Sequence, residues 1–227
     1  MPANELFHPW DVTTAEAREI QNRLRSKVVQ RGRPRVKHVA GVDISIRGDW
    51  AIAAVPVLRF EDLQIVDLAI VEQKVPFPYV PGYLSFRECP SILAAIEKLD
   101  AKADLILVDG QGIAHPRRFG LASHLGVLLD TPSIGCAKTR FIGVHDKPAE
   151  EAGCYTDLWD VDLDGNDELI GAVLRTRDNV KPMYISVGHK LDLPTALDLV
   201  LACGNGYRLP EPTRLAHQAA GGSLKWP

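Results

Sequence analysis

Three carboxylates occupy positions where an acid would need a cation or hydrogen-bond donors beside it. Asp43 lies inside an apolar run, Asp109 ends the run Leu-Ile-Leu-Val, and Glu88 lies just inside a helical segment. An unpartnered acid on the core side of a strand has a large desolvation cost, which a cation or hydrogen-bond donors can offset. Alone, Asp43 would suit a half-exposed strand acid with a local hydrogen bond. Together, the three predict an oxygen-ligand site for Mg²⁺, with Mn²⁺ as a substitute.

The elements that must position these acids follow from the hydrophobic pattern. Three strand-like runs come first, and helices and short strands then alternate, which predicts an α/β fold with a mixed central sheet flanked by helices. The predicted strands span residues 38–46, 50–58, 63–72, 104–108, 132–137, 169–175 and 183–187, and the predicted helices span 13–30, 84–99, 116–129 and 193–202. Asp109 then ends a buried central strand, where open α/β sheets place their ligands.

Length and composition exclude several classes of protein. The 227 residues suit one domain spanning 1–227, and 46% of them are hydrophobic, as in ordinary globular proteins. The start lacks the features of a secretory signal, and no apolar run approaches the roughly 20 residues needed to span a bilayer. Four scattered cysteines without a C-x-x-C pair argue against a structural zinc or a disulfide scaffold. We therefore expect a soluble, cytoplasmic monomer that does not contact membranes.

Charge is segregated along the chain although the net charge is only −3. Residues 23–38 contain seven Lys or Arg side chains and no acid, whereas residues 157–168 contain six acids and no base. The basic stretch could steer a polyanion or form a solvated helix face, and both interpretations stay open. The acidic stretch copies the first half of an EF-hand loop but has Gly171 where the loop needs a bidentate Glu. A hairpin with an acidic tip is the better interpretation.

Six separated sequence motifs together form a specific pattern. These are GVD (41–43), PYVPGYLSFRE (78–88), VDGQGIAHPRRFGLASHLG (108–126), IGCAK (134–138), VGHK (187–190) and PTRLAH (212–217). In this order they closely resemble the endonuclease V family, over about residues 15–218. The resemblance implies a ribonuclease H-like fold and a Mg²⁺-dependent endonuclease that initiates DNA repair. Such an enzyme recognises deaminated adenine (inosine) in nucleic acid and hydrolyses the second phosphodiester bond 3′ to it.

The resemblance also assigns roles to residues. It implies that Asp43, Glu88 and Asp109 are metal ligands and that His217 belongs to the active site, while Lys138 would stabilise charge on the phosphate. The stretch Pro78, Tyr79, Val80 and Pro81 would form a wedge, although such a loop alone is more often a plain turn. The extruded base would enter a pocket formed by Gly82, Leu84, Gly110, Gly112, Ile113, His115, Gly120, Ala137 and Phe141. Gln111 receives no role, and the choice between DNA and RNA stays open.

Three other functions fit parts of the sequence. An actin- or sugar-kinase-like ATPase has similar Gly-Val-Asp and Val-Asp-Gly turns, but it needs two such domains and therefore a longer chain. A non-catalytic nucleic-acid-binding module would use the basic stretch, but it leaves the clustered acids unexplained, because they would repel phosphate without a metal. Another ribonuclease H-like nuclease, such as a resolvase, would not explain the Pro-Tyr-Val-Pro block.

Overall fold

The computed structural model describes residues 7–162 and 164–224. Its strands are β1 (His38–Arg47), β2 (Trp50–Arg59), β3 (Ile65–Lys74), β4 (Leu105–Val108), β5 (Ser133–Ala137), β6 (Tyr155–Val161), β7 (Asp167–Leu174) and β8 (Met183–His189). Its helices are α1 (Thr14–Leu24), α2 (Leu84–Ile96), α3 (Leu121–Leu129), α4 (Leu193–Ala202) and α5 (Glu211–Ala220), and a 3₁₀ turn, Arg25–Lys27, extends α1.

One eight-stranded sheet has the order β3-β2-β1-β4-β5-β8-β7-β6. The first three strands form the predicted antiparallel meander, and β1, β4 and β5 pair in parallel at the centre. Strands β8, β7 and β6 continue the sheet in antiparallel pairing. This confirms the predicted mixed sheet with flanking helices. It also confirms the hairpin in the acidic stretch, formed by β6 and β7.

The core lies on both faces of this sheet. On one face, apolar residues of β4, β5, β7 and β8 pack with α4. On the other face, residues of β1, β2 and β3 pack with α2 and α3. Strand β4 is buried along its whole length, which matches its uninterrupted apolar sequence. The carboxyl ends of β4 and β5 therefore emerge together from a packed centre, beside the middle of β1.

Three predicted helix bounds were wrong, and the helix predicted over residues 84–99 ends at Ile96. The helix predicted over residues 116–129 begins only at Leu121, because the preceding residues form a loop in which Arg118 has a positive φ of 54°. The helix predicted over residues 13–30 ends at Leu24, followed by the 3₁₀ turn. Its start is confirmed, since Thr13 and Glu16 form a capping box. In the described part of the chain, every helix is too short or too polar to cross a membrane.

Candidate active site

The acids of β1 and β4 are neighbours because the two strands pair in parallel. Val42 lies opposite Val108, and the N–H of Asp109 donates to the carbonyl of Val42 at 3.1 Å. The residue that follows each valine is an aspartate, so Asp43 and Asp109 meet at the carboxyl end of the central sheet. The N–H of Ile44 donates to Asp43 Oδ1 at 2.9 Å, which leaves the second oxygen for other partners.

Helix α5 brings His217 to this pair. His217 Nδ1 lies 2.6 Å from Asp43 Oδ2, and one ligand atom from each of Asp43, Asp109 and His217 lies within 4.8 Å of the others. The helix reaches the strand because residue 41 is glycine: a Cβ there would lie 1.9 Å from the carbonyl oxygen of Pro212. Two carboxylates and one imidazole at this spacing can hold a divalent cation.

Glu88 projects toward the same acids from α2, although it lies outside the group of three. Burial, followed by the negative charges of Asp43 and Asp109, raises the pKa of Glu88 to about 8. Burial likewise raises the pKa of Asp109, and the charge on Asp43 adds to this effect. A nearby cation favours the ionised form of both groups, so the electrostatics of the three acids suit a bound metal.

Lys138 follows β5, and its ammonium group pairs with the Asp109 carboxylate. The backbone at this point is held by Arg208, a residue that the sequence analysis did not identify. Its guanidinium donates to the carbonyl oxygens of Lys138, Lys181 and Pro182 at 2.7, 2.8 and 2.9 Å. Burial lowers the pKa of Arg208, and the nearby Asp109 carboxylate opposes that change. Two cations therefore lie beside the acidic cluster.

A cavity of 470 Å³ opens beside these charges. Asp109 and Lys138 form part of its wall, so the cavity and the charged cluster are continuous. Of the residues predicted for a base pocket and wedge, those on the wall are Tyr79, Val80, Pro81, Gly82, Leu84, Gly110, His115, Gly120, Ala137 and Phe141. The wall also contains residues with no predicted role, namely Gln21, Ser85, Gln111, Leu121, Thr139 and Arg140.

Three predicted pocket residues lie elsewhere. Pro78 is exposed outside the wall. Ile113 is buried in the core below the sheet, and its N–H donates to the carbonyl of Val187 at 2.8 Å. Gly112 packs against the same strand, where a Cβ would lie 2.1 Å from the carbonyl oxygen of Val187. The glycine therefore permits a close backbone approach that brings the loop across the sheet.

Tyr79 stands at the mouth of the cavity with 72% of its surface exposed. Pro78 and Pro81 flank its segment and restrict the backbone. Phe141 lies across the opening, with its ring centroid 5.5 Å from that of His115. An exposed ring on a stiffened loop, beside a cavity with an aromatic wall, can stack with a planar base.

His115 is an uncharged member of the wall. Its Nδ1 accepts the N–H of Arg117 at 3.1 Å, so Nε2 carries the proton and donates to the carbonyl of Gly82 at 3.0 Å. Burial, followed by the charge on Arg117, lowers the pKa of His115 to about 3. The ring is therefore neutral, with both nitrogens occupied, at physiological pH.

Comparison with known proteins agrees with this geometry. The Endonuclease V family model matches residues 19–218. The chain is 52% identical to Endonuclease V of Trichormus variabilis, covering 94% of this chain and 96% of that protein. The crystal structure of Endonuclease V from Streptomyces avermitilis superposes with a TM-score of 0.87, at 42% identity and 94% coverage of both chains.

A second solved structure contains nucleic acid. Endonuclease V of Ciona intestinalis, in complex with a 24mer DNA containing an inosine followed by a ribo-adenosine, superposes with a TM-score of 0.80. The identity is 28%, over 92% of this chain and 95% of that one. This chain belongs to the Endonuclease V family and is a nuclease, a hydrolase of phosphodiester bonds.

Proposed function

We propose that this protein is a Mg²⁺-dependent endonuclease that recognises inosine in nucleic acid and hydrolyses the second phosphodiester bond 3′ to it, as the first step of repair. The observation that carries the proposal is that the cavity and the acidic cluster have residues in common. Asp109 and Lys138 belong to both, so a base held in the cavity would place its own strand across the charged groups.

The donors fit a hard divalent cation. Asp43, Glu88 and Asp109 would hold it through carboxylate oxygens, the ligands that Mg²⁺ and Mn²⁺ take in proteins. When bound, such an ion neutralises phosphate charge and lowers the pKa of a water molecule. The raised pKa values of Glu88 and Asp109 describe acids held close together in a partly desolvated site, which a cation would relieve.

Two further side chains complete the proposed chemistry. Lys138 would stabilise the negative charge that develops on the phosphate, because its ammonium lies next to the acids at the cavity wall. His217, donating from Nδ1 to Asp43, would keep Nε2 free to orient a water molecule, and its side chain is 61% exposed. Both side chains already lie beside the acids, so neither role requires the backbone to move.

Base recognition would depend on groups that carry no charge. Tyr79 would fill the gap left in the stack, and the extruded base would lie against backbone atoms and the neutral ring of His115. Hypoxanthine differs from adenine by presenting an O6 acceptor and an N1–H donor where adenine presents an amino donor and a bare N1. A wall of fixed, uncharged donors and acceptors can detect that difference.

The test is a set of parallel cleavage assays on one sequence that contains inosine or adenine at a single position. Single-stranded DNA, duplex DNA and RNA are each incubated with Mg²⁺, with Mn²⁺ or with chelator. We expect one cut in the inosine strands, at the second phosphodiester bond 3′ to the lesion, with 3′-OH and 5′-phosphate ends. The relative rates on the three polymers identify the preferred nucleic acid.

Absence of inosine-dependent cleavage on all three polymers, with either metal, would overturn the proposal. Cleavage that continues in chelator would overturn the metal-dependent part alone. Equal cleavage of the adenine control would remove the claim of base recognition while leaving a nuclease.

We further propose that the enzyme acts as a monomer in the cytoplasm. All residues of the charged cluster and the cavity wall come from one chain. All four cysteines are free, and Cys89, Cys136 and Cys203 are buried, which suits a reducing compartment. Light scattering during gel filtration tests the oligomeric state, and imaging of the tagged protein in its host tests the location.

A further inference from the structure

One backbone oxygen joins three parts of the molecule at the edge of the cavity. The carbonyl of Gly82 accepts hydrogen bonds from Gln21 Nε2 at 3.0 Å, from His115 Nε2 at 3.0 Å and from the guanidinium of Arg117. The oxygen belongs to the Tyr79 loop, whereas the donors come from α1 and from the loop after β4. A carbonyl has two lone pairs, so three donors saturate it.

The donors are themselves held in place. Gln21 is 1% exposed among the buried residues of α1, and its amide also donates to the carbonyl of Phe119 at 3.2 Å. Its Oε1 accepts from Arg117 Nε, so both ends of the amide are satisfied. The Arg117 guanidinium lies 4.3 Å above the centroid of the Tyr83 ring. A buried polar network with every member satisfied fixes the relative positions of its parts.

The acceptor peptide is held on its other side as well. The N–H of Tyr83, in the same peptide unit, donates to the carbonyl of Val80 at 3.0 Å and closes the turn. Gly82 has a φ of +84°, and a Cβ there would lie 2.7 Å from Arg117 Nη2. Only glycine combines this backbone conformation with this close contact.

We propose that Gln21 and Arg117 are positioning residues that set the distance between the Tyr79 wedge and the base cavity through the Gly82 carbonyl. This inference rests on the proposed function. An enzyme that extrudes a base must keep the stack open while it holds the base, so the wedge and the pocket must act at one fixed separation. Neither residue belongs to the acidic cluster.

The test uses Gln21→Met, which keeps the length of the side chain and removes all its hydrogen bonds. The matched control is Asn22→Met, on the exposed face of the same helix. Cleavage is measured on two duplexes, one with inosine paired in the stack and one with inosine opposite an abasic site. Extrusion requires less unstacking and unpairing in the second duplex, so a correctly placed wedge matters less there.

We expect Gln21→Met to lower kcat/KM on the paired duplex by on the order of 10- to 100-fold. The loss on the abasic duplex should be several times smaller, and the Mg²⁺ concentration for half-maximal rate should not change. Fluorescence of 2-aminopurine beside the inosine, which reports unstacking, should rise less than with the wild-type protein. The control variant should match the wild type in every measurement.

Equal losses on the two duplexes, or no loss on either, would overturn the positioning role. Arg117→Met provides the same test if Gln21→Met does not fold, because methionine cannot donate a hydrogen bond to Gln21 or to Gly82. A wild-type protein that cuts inosine strands neither in these duplexes nor in single-stranded DNA or RNA would instead refute the proposed function, so the two failures are distinguishable.

Discussion

The site has an acidic half, which contains Asp43, Glu88 and Asp109, and a base half, which is the cavity wall near Tyr79 and His115. The two halves differ in how many of their polar groups have partners. In the acidic half, Glu88 and Asp109 have raised pKa values because burial and neighbouring carboxylates disfavour their charge. In the base half, His115 is neutral with both nitrogens bonded, and the Gly82 oxygen has three donors. The acidic half carries clustered negative charge that a divalent cation can balance. These groups of the base half are held in place before any ligand arrives, which favours selectivity.

The largest effect on cleavage is expected from a substitution that changes only the acidic half. Asp109→Asn keeps the shape of the side chain but removes a ligand charge, so cleavage in Mg²⁺ should fall by on the order of 10³-fold or more. Binding of an inosine oligonucleotide in Ca²⁺ should change much less, because the base half is intact. Single-turnover cleavage and fluorescence anisotropy measure the two quantities. A variant within 10-fold of the wild-type rate would contradict the assignment of Asp109.

The next effect concerns the cation beside the acids. Lys138→Met should slow the chemical step by about 10²-fold, because it removes charge stabilisation at the phosphate. It also removes the ion pair that lowers the pKa of Asp109, so the rate at pH 6 should suffer more than the rate at pH 8. The pH–rate profile measures both changes. Lys102→Met, at an exposed site, is the control, and an unaltered profile for Lys138→Met would argue against this role.

A smaller effect should follow in the base half. Tyr79→Ala removes the exposed ring, and loss of one stacking partner should weaken binding to inosine strands about 10-fold. The Mg²⁺ dependence should stay unchanged because the acids are untouched. Tyr155→Ala removes another exposed tyrosine, on β6, and serves as the control. A shift in metal affinity without weaker binding would contradict the division of the site into two halves.

The smallest effect is on stability without metal. Glu88 titrates near pH 8 in the folded protein against an ordinary value of 4.5, so the folded state holds a proton between these values that the unfolded state has released. The unfolding free energy therefore falls as pH rises from about 5 to 8. Glu88→Gln removes this slope and should therefore stabilise the metal-free protein at pH 8.5.

Urea unfolding in chelator at pH 6 and pH 8.5 checks this prediction. Added Mg²⁺ should reverse the order, because only the wild-type carboxylate would gain from the ion. Identical pH slopes for both proteins would show that Glu88 does not carry the raised pKa.

The sequence pattern predicts the centre of the fold better than its margins. Strand β4 and helix α4 match the predicted bounds to within a residue, because uninterrupted apolar runs and a proline near a helix start are strong local signals. Helix α5 is not predicted, although Pro212 near its start is the same signal that marks α4; this helix packs on β1 and β2. Residues 116–120 look helical in sequence, but Arg118 adopts a left-handed conformation.

The same division holds for the site. The proximity of Asp43 and Asp109 can be predicted because one acid interrupts the apolar run of β1 and the other follows the apolar run of β4. Gln21, Arg117 and Arg208 cannot, because each acts on backbone carbonyls supplied by distant segments. Polar residues of this kind look like surface residues until the tertiary contacts are known.

The contact between His217 and Asp43 has a consequence for folding. These residues are 174 positions apart, so their pairing closes a very long loop and depends on docking of α5. Closing such a loop has a high entropic cost, and late assembly of this contact is expected. A chain that has formed its central sheet but not docked α5 would lack the complete cluster. The charged cluster would therefore be complete only in the fully folded molecule, in which the base cavity has also formed.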